Sequence, residues 1–305
     1  NGVYKLTGGV VEFAGSNVSR QTIRGTQTNA YYNVEVTGTN VGQSSGNINI
    51  RNGGTFTIKS NAVLHMNDVS IVDSSGTGTQ SFVMEANSKL FTANTLGFNG
   101  PLIGFNAPTV KSDIETINLA TGSSIDYNRS NFYLGLANGN QVVTTTLPYQ
   151  HLILSGDGNK TPAAGATIVV AGNLTKGGRP SAIFMHNDGT VELNSTTAQT
   201  YTDTAFVKQI IELNSLTLKN NGSVTLKNSI AVNQKMLFDN STPNTVFVLD
   251  SANVHLRSRA DTTAWVADIP STVLINYDNG GTNQNQGRFV VERYNFDKRA
   301  WRFYS

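Results

Sequence analysis

The residues of this chain that could do acid–base chemistry lie towards its C-terminal end. Asp250, Asp261 and Asp268 are close in sequence to Arg257 and Arg259. Enzymes that cleave polysaccharides use clustered carboxylic acids, often with a basic side chain, on one outer face of the fold. No spacing among these five predicts two acids side by side on adjacent turns of the chain. We therefore interpret them as solvated turn and strand-edge residues and predict no catalytic residue.

The histidines and the Asp-Gly segments do not predict a metal site. The four His residues are far apart and form no H-x-H or H-x-x-x-H pattern, which favours exposed strand positions over ligands. They are His65, His151, His186 and His255. Residues 157–159 and 278–280 lack the Asp-x-Asp-x-Asp-Gly pattern of calcium loops and are interpreted as turns. We predict no metal and no cofactor.

Composition excludes several classes of partner. The 305 residues carry a net charge of only +2, whereas nucleic acid and anionic membranes require a strongly basic surface, so neither is expected as a partner. The chain has no Cys and no apolar run near the length of a membrane-spanning helix. Hydrophobic residues make up 38% and charged residues 14%, with abundant Gly, Asn, Thr and Ser, which is typical of turn-rich β proteins.

A degenerate block occurs three times along the chain. It begins as Gly-x-Val-Glu-Phe, continues with Gln or Gln-Thr, and leads into alternating aliphatic residues. The copies start at Gly9, Gly122 and Gly189 and carry Gln21, Gln141 and Gln199 respectively. A self-similar unit built only of strands and turns is the signature of a stacked repeat architecture.

Short alternating runs such as Ile48–Ile50, Phe56–Ile58 and Leu152–Leu154 predict strands with one face buried. Gly- and Asn-rich segments such as 52–54 separate them as turns. This rhythm fits a β-sandwich or a β-solenoid. The irregular turn spacing favours the second, so we predict an all-β parallel β-helix with no substantial helix.

The solenoid hypothesis makes specific predictions about the interior and the corners. Aliphatic residues such as Leu154, Ile183 and Leu213 should stack in rows, and Asn side chains at corners should form amide ladders one strand spacing apart. Eight residues are predicted to point inward: Ile168, Val170, Val191, Leu193, Leu216, Leu218, Val224 and Leu226.

Three segments are predicted from composition. Residues 1–275 form the β-solenoid repeat array, and residues 276–287, rich in Asn, Gly and Gln, form a linker. Residues 288–305 are aromatic and basic and are interpreted as a strand-rich cap or as the start of a following module, since an open solenoid end must be covered.

Three blocks of the chain resemble the extracellular repeat regions of large proteins of Bacteroidota that are exported by the type IX secretion system. The blocks are GTVELNSTTAQT (189–200), LPYQHLILSGDGNKT (147–161) and VERYNFDKRAWRF (291–303). The resemblance implies export by the type IX machinery, a cell-surface or extracellular location, and membership of a long gliding-type adhesin. It also implies O-glycosylation at Asp-Ser/Thr-apolar motifs, where Thr204, Ser251 and Thr262 are the candidate acceptors.

Two functions from different classes follow. The leading one is a non-catalytic structural and adhesive segment, with a surface polysaccharide as a candidate ligand. The alternative is a polysaccharide lyase or hydrolase, which a cleft lined by acids on neighbouring coils would favour. Aromatic side chains could stack on sugar rings, although a role in the core or cap is the interpretation we adopt. They are Trp265, Trp301, Tyr294 and Tyr304.

Overall fold

The computed structural model is all-β, with parallel strands stacked coil upon coil as a β-solenoid, so the predicted fold class is confirmed. It describes residues 9–16, 20–25, 30–74, 79–100, 107–178, 182–239, 245–259, 261–277, 286–293 and 302–304. The chain divides into two compact units. The N-terminal unit is Asn1–Thr146 with Ser155–Gly158, and the C-terminal unit is Leu147–Leu154 with Asn159–Ser305.

The N-terminal unit contains short strands and a single turn of helix within its described residues. The elements are β1 (Val10–Phe13), β2 (Gln21–Arg24), β3 (Ala30–Val36), β4 (Val41–Ser45), β5 (Ile48–Ile58), β6 (Val63–Met66), β7 (Ile71–Asp73), β8 (Ser81–Met84), β9 (Lys89–Thr92), β10 (Asn99–Gly100), β11 (Val110–Lys111), β12 (Thr116–Leu119), β13 (Ser124–Tyr127), α1 (Asn131–Leu134) and β14 (Gln141–Val143).

Two parallel rows of strands build this unit. One row runs β1, β3, β5, β8, β12, and the other runs β2, β4, β6, β9, β13. Register places like residues above one another, so Val36, Ile58 and Met84 form a fully buried column. Phe56 stacks on Phe82 in the same way, with ring centroids 5.9 Å apart. Rows of apolar residues thus supply the continuous core that a single coil could not.

The C-terminal unit repeats this plan. Its strands are β15 (His151–Leu154), β16 (Asn159–Pro162), β17 (Thr167–Val170), β18 (Leu174–Lys176), β19 (Ile183–Phe184), β20 (Thr190–Leu193), β21 (Gln199–Asp203), β22 (Ile211–Leu218), β23 (Ser223–Leu226), β24 (Ile230–Phe238), β25 (Val246–Leu249), β26 (Val254–Leu256), β27 (Trp265–Val266), β28 (Leu274–Asn276), β29 (Phe289–Arg293) and β30 (Arg302–Tyr304). One row runs β15, β18, β21, β23, β25, β28, and another runs β17, β20, β22, β24, β26, β29. β30 pairs with β29 antiparallel.

The inward assignments in this unit are confirmed. All eight residues predicted to point inward are buried, and in the second row Val170, Leu193, Leu218 and Phe238 form one column. The expectation for Ile183 is wrong, because its side chain is 45% exposed. β19 has only two residues and Phe184 takes the inward position, so alternation turns Ile183 outward.

The asparagine side chains at the corners form hydrogen bonds with backbone groups more often than with one another. The expected ladders of side-chain amides are therefore not the main contact at the corners. The side-chain oxygens of Asn33, Asn47, Asn173 and Asn228 each accept a hydrogen bond from a backbone N–H on the neighbouring coil, 22 to 27 residues away. Corner backbone groups lack a regular ladder partner, and a buried unpaired group is costly, so the amides satisfy them. Amide-to-amide contact occurs between Asn220 and Gln199, at 2.6 Å.

In two of the three copies of the repeated block, the Gln side chain ties a corner to the preceding coil, whereas Gln21 of the first copy is exposed and accepts a hydrogen bond from the backbone N–H of Ala14. Gln199 is buried, and its Nε2 donates to the carbonyls of Val170 at 2.8 Å and Gly172 at 2.6 Å on the preceding coil. Gln141 likewise donates to the carbonyls of Thr92 and Asn94 at 2.9 and 3.0 Å. The repeat motif therefore encodes coil stacking.

One local expectation differs from the structure. The turn predicted at residues 52–54 lies inside β5, where Gly53 has a positive φ of 73° and the ladder to β3 shifts register, so the strand bends without ending. The segment 205–210 is irregular, and β22 begins at Ile211. Helix in the described residues is limited to α1, in agreement with the predicted lack of helix.

Candidate functional site

The fold brings together only some of the residues singled out in the sequence. Arg257 and Arg259 meet at one face of the C-terminal unit. Asp250 lies on the bend after β25, Asp261 is exposed on a later bend, and Asp268 lines a different groove. The three aspartates therefore do not form one acid cluster.

The partners of the two arginines are glutamates that the sequence analysis missed. Nη1 of Arg257 lies 3.0 Å from Oε1 of Glu292, and Nη2 lies 3.6 Å from Oε1 of Glu212. Nη2 of Arg259 lies 3.5 Å from the second oxygen of Glu212. Nδ1 of His255 adds a contact to Glu292 at 3.6 Å. These contacts join different coils, so they become visible only once the register is known.

A groove opens beside this network. We call it the Glu212 groove; it has a volume of about 490 Å³. Its charged and polar lining comprises Lys176, His186, Asn187, Asp188, Gln209, Glu212 and Arg259, and its apolar lining includes Ile183, Met185 and Ile210. The size falls in the range of small-molecule sites. It carries acids from two neighbouring coils, Asp188 beside β20 and Glu212 on β22.

His186 is held in place at the groove by both ring nitrogens. Nδ1 accepts a hydrogen bond from the backbone N–H of Asp188 at 3.1 Å, and Nε2 lies 3.1 Å from the side-chain amide of Asn233. The ring is therefore part of the turn that precedes β20.

Lys176 lies beneath the groove in a buried ion pair. Its ammonium is 2.9 Å from Oδ2 of Asp203, and the two side chains are only 3% and 1% exposed. Asp203 also accepts from the backbone N–H groups of Ala205 and Gln209, at 2.9 and 3.3 Å. The pair thus fastens the 204–210 loop to the coil.

The acids of the groove lack the surroundings of a general acid. A carboxylic acid that keeps its proton near neutral pH is normally buried in apolar surroundings or placed beside another negative charge. The side chain of Asp188 is 87% exposed, and that of Glu212 is 43% exposed and faces two guanidinium groups. On the coils that follow, the register places Ala231 and then His255 opposite Glu212. Glu212 therefore has no carboxylate partner along this ladder.

Tyr201 lies in the same strand as Asp203, and its phenol is buried. Like the groove acids, it is not suited to proton transfer. Burial, and then the charge of Asp203, raises the pKa of Tyr201 far above its usual range. The hydroxyl keeps its proton at any physiological pH.

A second charge cluster, built around the buried side chain of Arg129, lies in the N-terminal unit. Arg129 is bound by Asp68 at 2.9 Å and donates to the carbonyls of Ala93 and Asn138. Nearby, Asp157 accepts from the Ser130 hydroxyl at 2.9 Å and caps the backbone N–H of Asn131. The cluster locks the loop that follows β13, which is a structural role. Asp157 sits on the turn predicted for it.

The described residues contain no group of three or more His, Asp or Glu side chains placed to hold a metal ion. The three candidate glycosylation acceptors, Thr204, Ser251 and Thr262, are all exposed, as modification would require. Tyr294 and Trp301 lie outside the described residues, as does the side chain of Tyr304, whereas Trp265 is half exposed and is not a core residue.

Comparison with known proteins gives no information on the function of the chain. No family model, curated protein or solved structure matches the chain. Within its described part, no helix has the length and apolar character needed to cross a membrane.

Proposed function

We propose that the chain is a non-catalytic structural and adhesive segment of a secreted or cell-surface protein. The observation that carries the proposal is the state of Glu212. This carboxylate lines a groove that carries acids from two neighbouring coils, yet both its oxygens face arginine side chains and the next coil opposes it with Ala231. The charged residues of the groove thus tie neighbouring coils together, which suits a stiff support.

Export by the type IX secretion system belongs to the same proposal. It is supported by the resemblance of residues 147–161, 189–200 and 291–303 to the repeat regions of Bacteroidota surface proteins. Detection of the protein on intact Bacteroidota cells by external protease, and its loss from the surface in a strain lacking the type IX machinery, would test this part.

The adhesive part can be tested with beads that carry the purified protein. We expect them to be retained under flow on surfaces coated with polysaccharide extracted from Bacteroidota cells, and we expect beads carrying serum albumin to wash off. Equal retention of the two kinds of bead would contradict an adhesive function.

A polysaccharide-cleaving enzyme is the second candidate, and one observation favours it. Asp188 and Glu212, from neighbouring coils, line the same groove of about 490 Å³ with Arg259 and His186. If the chain were such an enzyme, Glu212 would be the candidate acid or base of this groove. Glu212→Gln is therefore the variant that decides whether any cleavage comes from the groove.

A further inference from the structure

A second groove in the C-terminal unit lies beside Trp265 and shares no lining residue with the Glu212 groove. We call it the Trp265 groove. Trp265 pairs with Lys235 of β24, and the chain after it turns at Pro270. The groove has a volume of about 570 Å³, and its lining includes Leu237, Asp239, Trp265, Asp268, Ile269 and Pro270. It is of the size that holds a small ligand.

The position of Trp265 in the register sets it apart from its neighbours. The same outward column carries Thr167, Thr190 and Ser215 on the preceding coils, then Lys235, and then Trp265. A column of small hydroxyl and charged residues is ordinary solvent-facing surface. A tryptophan at its end is 49% exposed and sits beside Ile269, which is 46% exposed. Packing of the core does not account for this ring.

The chemistry of the lining indicates the ligand. We propose that the Trp265 groove binds a neutral saccharide. The apolar C–H face of a sugar packs against an indole ring. The carboxylates of Asp268 and Asp239 at the groove accept hydrogen bonds from sugar hydroxyls, and charged acceptors form stronger bonds than neutral ones.

The charges next to the ring favour an uncharged ligand over a cationic one. An indole that shares a groove with carboxylates would otherwise suit a quaternary ammonium. The ammonium of Lys235, however, lies 4.9 Å from the centroid of the Trp265 ring and already makes the cation–π contact. A second cation there would meet like-charge repulsion. An acidic sugar would meet the same repulsion from Asp239 and Asp268, so a neutral sugar fits best.

The inference deepens the adhesive part of the proposed function by naming a ligand class and a site. It is independent of the Glu212 groove. If beads carrying a Trp265→Ala variant adhere as well as the parent, the adhesive function stands and this site is wrong. If no bead adheres but saccharides bind at Trp265, the site stands and the adhesive function is wrong.

The direct test is binding of cellohexaose, mannohexaose, xylohexaose and maltohexaose by calorimetry, with tryptophan fluorescence as a readout of the site. The chain has two tryptophans, so Trp301→Phe leaves Trp265 as the only indole reporter. We expect at least one neutral hexasaccharide to bind with a Kd below about 1 mM and to change this fluorescence. Trp265→Ala should weaken binding roughly tenfold or more, and Trp265→Phe should weaken it less.

Matched controls separate the site from general effects. Asp268→Asn should weaken binding, whereas Asp188→Asn, in the Glu212 groove, should leave it unchanged. Unaltered melting temperatures would show that the variants fold. The inference is overturned if none of the four hexasaccharides binds, if Trp265→Ala binds as the parent does, or if choline or hexagalacturonate binds better than every neutral sugar.

Discussion

At the scale of single residues, the polar side chains that looked chemically useful stabilise the stack. His151 shows how. Its Nδ1 accepts a hydrogen bond from the backbone N–H of Asn173 at 2.7 Å, which requires an unprotonated nitrogen. Burial of the ring lowers the pKa of His151. The neutral ring therefore belongs to the folded state, and protonation opposes folding.

This predicts a pH dependence of stability with a definite sign. A histidine whose folded pKa is depressed lets the unfolded chain bind the extra proton first, so its stabilisation is present above about pH 6.5 and is lost as pH falls below it. We expect the melting temperature to fall between pH 7.5 and pH 5, and to fall less in His151→Gln, which keeps an acceptor but does not titrate. An identical pH slope in the two proteins would contradict this role.

The ion pair of Lys176 and Asp203 gives a second prediction at this scale. Removing one partner leaves an uncompensated charge in the interior, so Asp203→Ala should lower the free energy of unfolding by about 3 to 5 kcal/mol. The double variant Lys176→Met/Asp203→Leu removes both charges and should recover part of that loss, because the backbone N–H groups of Ala205 and Gln209 still lose their acceptor. Denaturant titration measures both. A double variant as unstable as Asp203→Ala would show that the charges themselves are needed.

At the scale of strands and coils, stability lies in the apolar columns. Leu218 is fully buried between Leu193 and Phe238 in the row formed by β20, β22 and β24. Leu218→Ala should cost about 2 to 5 kcal/mol, because strands held by their ladders on both sides cannot collapse into the cavity. Leu274→Ala, at a position 60% exposed, is the matched control and should change little. Equal effects of the two substitutions in thermal melts would contradict the inward assignment.

The columns were predictable from the sequence because alternation at period two fixes which side chains of a strand face inward. Val191, Leu216 and Val224 follow that rule. Ile183 does not, because a strand of two residues gives too short a pattern to set the phase. The hydrogen-bond partners of the corner amides were not predictable from the sequence. The side chain of Gln199, for example, binds a neighbouring coil, and the separation of neighbouring coils along the chain varies with loop length.

The dependence of contacts between coils on the register also explains which site residues could not be predicted from the sequence. Arg257 and Arg259 stood out, but Glu212 and Glu292 become their partners only through the stacking of β22, β24, β26 and β29. Trp265 was assigned to the core or cap because an isolated aromatic usually packs inside. Its exposure follows from an outward column that no local pattern reveals.

At the scale of the whole molecule, a β-solenoid is compatible with both an inert support and an enzyme, since function belongs to sites and not to folds. The support and the enzyme differ in whether the acids of the Glu212 groove can transfer a proton to or from a substrate. The ion pairs of Glu212 with two arginines, the exposure of Asp188 and the lack of an opposing carboxylate along the Glu212 ladder all favour the support.

The most direct measurement of this claim is product formation from polysaccharides. Stoichiometric amounts of the protein would be incubated with neutral and acidic polysaccharides, and reducing ends and unsaturated sugars would be followed by mass spectrometry. We predict no product above that of a heat-denatured control, because no described acid or base in the groove is arranged for proton transfer. Product released by the parent protein and abolished in Glu212→Gln would contradict the account and make the chain an enzyme.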